Sequence, residues 1–173
     1  MRLILVVFNM FKRVADQAKN LCDQTDYAVR GIAKLPKVYR ILFIDQPGSG
    51  IGQLATAIGR KNFPDTAEFT SAIAGAGEAP SETLRAFLAE TGLPDEGLNS
   101  EPLEALAHDF SDYIVIISLS GKVSDYVPKV PFHTSALNWT LPEGATLAEQ
   151  YRTLRGEIIS LVTQLAGEVQ EQA

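Results

Sequence analysis

The sequence predicts an α/β protein, a doubly wound parallel sheet of four strands preceded by one long N-terminal helix. Three observations predict it. A seven-residue apolar repeat runs through residues 3–35, and short apolar runs alternate with helical spacing from Val38 onward. Between the first of those runs and the first helix after it lies a glycine-rich turn, Asp45 to Gly52. The expected organisation is therefore an amphipathic helix over residues 1–36 and an α/β domain over residues 37–173.

The repeat places Val7, Val14, Leu21, Ala28 and Leu35 seven positions apart, with Ile4, Phe11, Ala18, Thr25 and Ile32 between them. Alternating steps of four and three put these residues on one stripe of a helix, with Lys12, Asp16, Lys19, Asp23 and Arg30 mostly outside it. Such a stripe serves a coiled coil or packs against the following domain. Ala18, Thr25 and Ala28 make a weak seam and Gly31 weakens the helix end, so both readings stand. Val7, Phe11, Val14, Leu21 and Ile32 are the candidate contact positions, for self-association or for a protein partner. Pro36 ends the helix, and residues 34–37 form a hinge.

Val38–Ile44 enters the glycine-rich turn as a buried parallel strand. Gly52–Asn62 has helical spacing through Leu54, Ala55 and Ile58, and Ala67–Ala72 reads as a second strand. Ser81 is placed to cap a helix running to about Glu90, with Leu84, Phe87 and Leu88 inward and Gly92 at its end. A shorter helix is expected over Glu101–His108, the strongest strand over Tyr113–Leu119, and a last strand over Val130–Thr134. Leu147–Ala166 closes the chain as an amphipathic helix. The order β-α-β-α-α-β-β-α gives a parallel sheet with helices on both faces.

Composition narrows the function classes. The 173 residues are 46% hydrophobic and 21% charged, ordinary for a globular protein, and carry a net charge of −6. Acidity without any basic run argues against a nucleic-acid partner, because phosphate-backbone affinity comes from clustered Lys and Arg. Cys22 is the lone cysteine, which excludes an internal disulfide and is expected as a buried thiol in a reducing compartment. His108 and His133 have no partner at ligand spacing, so no metal and no cofactor are expected. The apolar start through Phe11 has no small-residue cleavage site and is far short of the roughly 20 residues a membrane span needs. A cytoplasmic protein is expected, with peripheral membrane contact of the N-terminus left open.

In an open parallel sheet, ligands bind where strands turn into helices. Asp45-Gln46-Pro47-Gly48-Ser49-Gly50-Ile51-Gly52 occupies that position, and its three glycines before a helix N-terminus suit an anion. Gln46, Gly48, Ser49, Gly50 and Gly52 are the candidate ligand-binding residues. A Walker A loop is excluded because no Gly-Lys-Ser/Thr follows. Gly48–Gly52 is similar to the glycine turn of short-chain dehydrogenases, but the Tyr-x-x-x-Lys pair those enzymes need is missing: Tyr126 and Lys129 stand one residue too close.

From Val38 to about Leu165 the chain resembles the low-molecular-weight protein tyrosine phosphatases and the arsenate reductases that share their fold. Val38–Asp45 resembles their opening strand and Gln53-Leu54-Ala55 the start of the next helix. Thr70-Ser71-Ala72 is similar to a Ser-Ala-Gly strand end, and Asp112-Tyr113-Ile114-Val115-Ile116 to the central Asp-Tyr-Val-Ile strand. Asn138-Trp139-Thr140-Leu141-Pro142-Glu143 resembles the His-Trp-x-x-Pro-Asp segment, and Tyr151–Ile158 the closing helix. The resemblance implies a Cys-x5-Arg-Ser/Thr loop whose thiolate attacks phosphorus while the arginine forks onto the phosphoryl oxygens.

Laid on that pattern, Asp45 stands for the cysteine, Ile51 for the arginine, Gly52 for the hydroxyl residue and Glu143 for the general acid. Ser120 falls near a further cysteine of the arsenate reductases. The expectation is a non-catalytic phosphatase-like domain serving as a regulatory or structural protein-binding module. Asp45 either fills the loop with its own carboxylate or starts a turn. The alternatives are a small-ligand or anion sensor using the loop, or a changed hydrolase using Asp45. Glu143 is read as a surface turn and Trp139 as a wall of the core.

Overall fold

The computed structural model describes residues 38–142 and 144–166, together with Val14, Gln17, Ala18, Leu21, Cys22 and Thr25. The chain divides into two compact units, Met1–Lys37 and Val38–Ala173. In the first unit all six described residues are helical and exposed, Val14 by 61% and Leu21 by 66%. The Thr25 hydroxyl donates to the Leu21 carbonyl at 2.8 Å, the i−4 back-bond of a helical threonine. Val7, Phe11 and Ile32 lie outside the described residues. Cys22 is exposed, which corrects the expectation of a buried thiol: it follows Leu21 on a helix whose described positions all face water.

The second unit runs β1 (Tyr39–Asp45), α1 (Ile51–Asn62), β2 (Ala67–Ile73), α2 (Glu82–Thr91), β3 (Ser100–Pro102), α3 (Leu103–Leu106), β4 (Val115–Ser118), α4 (Val123–Tyr126), β5 (Ser135–Asn138) and α5 (Leu147–Ala166). All strands are parallel, in the order β3-β2-β1-β4-β5. β1 is central because Ile41, Leu42, Phe43 and Ile44 are all fully buried, as a strand covered on both faces requires. Its side chains alternate between two cores. Ile41 and Phe43 join Leu54 and Ile58 of α1, Leu88 of α2 and Leu154, Ile158 and Val162 of α5. Leu42 and Ile44 join Leu103 of α3, Ile116 of β4 and Val123 of α4. A Cβ on Gly59 would lie 2.6 Å from the Phe69 ring, so glycine there lets α1 settle onto β2. Among the described residues no helix is long and apolar enough to cross a membrane.

The sheet has five strands where four were expected. The expected helix over Glu101–His108 begins at Leu103, because Pro102 cannot sit inside a helix and instead ends β3. The expected last strand over Val130–Thr134 is displaced to Ser135–Asn138. Pro131 lacks the N–H a ladder needs, and its carbonyl accepts a turn bond from Thr134 N–H at 3.0 Å. The expected strand over Tyr113–Leu119 narrows to Val115–Ser118, since Tyr113 closes a 3₁₀ turn over Phe110–Asp112.

Candidate functional site

The loop between β1 and α1 lies at the carboxyl edge of the sheet, beside the ends of β2 and β4. Gly48 and Gly50 take positive φ of 80° and 71°, which turns the chain sharply into α1. Asp45, the last residue of β1, is only 2% exposed, and its carboxylate bends back into the loop. Oδ1 accepts from Gln46 N–H at 2.7 Å and Oδ2 from Gly52 N–H at 2.9 Å, and the Ser49 hydroxyl also donates to Oδ2. The Ser49 oxygen in turn accepts from Ile51 N–H at 3.2 Å. A side-chain carboxylate thus sits among the donors of the cradle.

A second carboxylate closes the rim. Glu78, in the loop after β2, accepts from Gly48 N–H at 2.8 Å. Its backbone is held by Gln53 Nε2, which donates to the Glu78 carbonyl at 2.8 Å, and by a reciprocal pair with Ser100. Sequence reasoning missed Glu78. The available signal was a carboxylate after Gly75-Ala76-Gly77, in the loop that follows the strand beside β1.

Beneath the loop, the buried hydroxyls of Ser71 and Ser100 share a hydrogen bond at 2.7 Å. Gly52 fits above them because it has no side chain: a Cβ there would lie 2.8 Å from Ser71 Oγ and 3.2 Å from the Asp45 Cβ. Gly50 sits close to α2, with Leu84 Cδ2 3.2 Å from where its Cβ would be. No Lys or Arg stands between Asp45 and Gly52.

The structure thus brings Asp45, Gln46, Gly48, Ser49 and Gly52 into one hydrogen-bonded loop, with Gly50 at its turn into α1. Ile51 is partly buried at the first position of α1. The Ser120 carbonyl accepts from the Ser118 hydroxyl at 2.8 Å, after β4. Trp139 is partly buried in the core, with its ring centroid 6.0 Å from that of Phe43. Glu143 lies outside the described residues. His108 and His133 are both exposed, and His133 lies edge-on to Phe132 at 5.0 Å.

Solved structures share this fold. YfkJ from Bacillus subtilis superposes with a TM-score of 0.62 at 17% identity, covering 79% of this chain and 100% of that one. The thioredoxin-dependent arsenate reductase Cg_ArsC1' of Corynebacterium glutamicum gives 0.63 at 21% identity, covering 88% and 73%. The low-molecular-weight protein tyrosine phosphatase SP-PTP from Streptococcus pyogenes gives 0.57 at 13% identity, covering 73% and 93%.

The chain has the low-molecular-weight phosphatase fold. No family model and no curated protein sequence matches it. In this chain the β1–α1 loop lies at the carboxyl edge of the sheet, and two of the chain's own carboxylates bond to its N–H groups.

Proposed function

We propose that the chain is a phosphatase-fold domain without turnover, acting as a regulatory or structural protein-binding module through docking or self-association of its N-terminal segment. The observation that carries the first part is the Asp45 carboxylate, held by Gln46 N–H, Gly52 N–H and the Ser49 hydroxyl. An oxyanion in the loop would compete for those donors and meet a like charge. Two unit charges about 4 Å apart at an effective dielectric of about 20 repel by roughly 4 kcal/mol. Ile51, which the resemblance sets in place of arginine, has no charge to offset that repulsion. The second part rests on Val14 and Leu21, seven residues apart on a helix and both exposed.

Thermal-shift titration with phosphate, sulfate and arsenate, paired with aryl-phosphate hydrolysis, tests the first part. The expected result is an unchanged melting temperature and no turnover. Saturable stabilisation by any of the three anions, or turnover lost in Asp45→Ala, would contradict it.

A further inference from the structure

The segment that carries Glu78 is fixed through its backbone. Glu78 N–H donates to the Ser100 carbonyl at 3.0 Å, and Ser100 N–H returns a bond to the Glu78 carbonyl at 2.8 Å. The same carbonyl accepts from Gln53 Nε2 at 2.8 Å, and Gln53 is only 2% exposed. Gly77 permits this close approach, since a Cβ there would lie 2.9 Å from the Ser100 carbonyl oxygen. The main chain at residue 78 is thus anchored to β3 and α1, while its side chain is exposed and bonds to Gly48 N–H at 2.8 Å.

The two carboxylates on the β1–α1 loop therefore differ in kind. Asp45 is buried and holds Gln46 N–H and Gly52 N–H from within. Glu78 holds a different donor, Gly48 N–H, from the water side. The room beside Gly48 is open, because a Cβ there would meet nothing within 4 Å. Removing one carboxylate leaves the other on its own donor. An oxyanion competing for Gly48 N–H meets the Glu78 charge at hydrogen-bonding range, where salt screens little.

We propose that Glu78 is a second lock on the loop, independent of Asp45: with Asp45 neutralised, the Glu78 carboxylate by itself keeps oxyanions off. This rests on the reading that the loop of the unaltered chain takes no anion, and it names a further group that enforces it. Asp45 cannot leave without exposing a buried N–H. Glu78 can swing into water on a backbone that stays in place, so it is the lock that opens without unfolding the loop. With both charges gone, Gln46, Gly48 and Gly52 present free N–H groups beside the first turn of α1, a set of donors suited to phosphate, sulfate or arsenate.

Phosphate titration of the full chain, followed by NMR at the Gly48 and Gly52 amides, tests it in Asp45→Ser, Glu78→Ala and the double variant. Glu78→Ala is expected to show no saturable shift. The double variant is expected to bind phosphate at least about tenfold more tightly than Asp45→Ser does. Glu78→Gln with Asp45→Ser keeps the side chain's length without its charge, and is also expected to bind. Asp45→Asn replaces Asp45→Ser if circular dichroism shows the serine variant unfolded. The proposal is overturned by a double variant that takes no phosphate, by an Asp45→Ser variant within about tenfold of it, or by loss of binding with Glu78→Gln. Binding by Glu78→Ala but not by the unaltered chain would leave Glu78 a lock and overturn the role given to Asp45. Binding by the unaltered chain would overturn both.

Discussion

Asp45 ends a buried strand, and its carboxylate accepts hydrogen bonds from Gln46 N–H, Gly52 N–H and the Ser49 hydroxyl. Its bonds to Gln46 N–H at 2.7 Å and Gly52 N–H at 2.9 Å join the last residue of β1 to the first turn of α1. Removing the carboxylate leaves the buried Gly52 N–H without its acceptor, so Asp45→Ala should destabilise the fold by about 1–3 kcal/mol in urea unfolding. Gly52 is constrained from the other side. Gly52→Ser would bring a Cβ to 2.8 Å from Ser71 Oγ, deep in a hydroxyl pair that cannot simply move away. A loss of about 1–3 kcal/mol is expected, smaller when Ser71→Gly is made with it; equal losses in the two backgrounds would count against this packing account. Both residues were legible in the sequence as departures from a reactive loop. Glu78 was not, because its role depends on β2 lying beside β1, and no local pattern near residue 78 reports that pairing.

Elements were legible where their end signals were strong. Ser81 accepts from Leu84 N–H at 3.2 Å and Gly92 takes φ of 63°, so α2 begins and ends where its cap residues place it. α5 spans Leu147–Ala166, as its apolar spacing predicts. Prolines account for the misplaced elements: Pro102 divides an expected helix into β3 and α3, and Pro131 moves the last strand from the expected Val130–Thr134 to Ser135–Asn138. α5 also supplies a pH-dependent contact. Glu149 accepts from Thr146 N–H at 2.8 Å and from the Thr146 hydroxyl at 2.9 Å. These bonds, backbone first, hold its carboxyl below the ordinary glutamate value, with a smaller contribution from the Arg152 charge. Since the folded value is the lower one, this contribution is complete above the ordinary glutamate range and is lost as pH falls through the lowered value. Thr146→Ala should raise the Glu149 midpoint part of the way back in an NMR titration, because the backbone donor survives. An unmoved midpoint would mean that the hydroxyl plays no part.

At the scale of the molecule, the alternation of apolar runs and helical spacing was enough to read a doubly wound sheet, and β1 stands at its centre with Ile41, Leu42, Phe43 and Ile44 buried on both faces. The fifth strand escaped because β3 is three residues long and β5 has no apolar run to announce it. The heptad stripe carries the docking role proposed for the N-terminal segment. Its described members Val14, Ala18, Leu21 and Thr25 are all exposed. In the loop between β1 and α1 the Gln46, Gly48 and Gly52 N–H groups are taken by the chain's own carboxylates. Amide-resolved NMR with inorganic phosphate tests this most directly. The Gln46, Gly48 and Gly52 resonances are expected to stay in place throughout the titration. Saturable shifts of those three amides would contradict it.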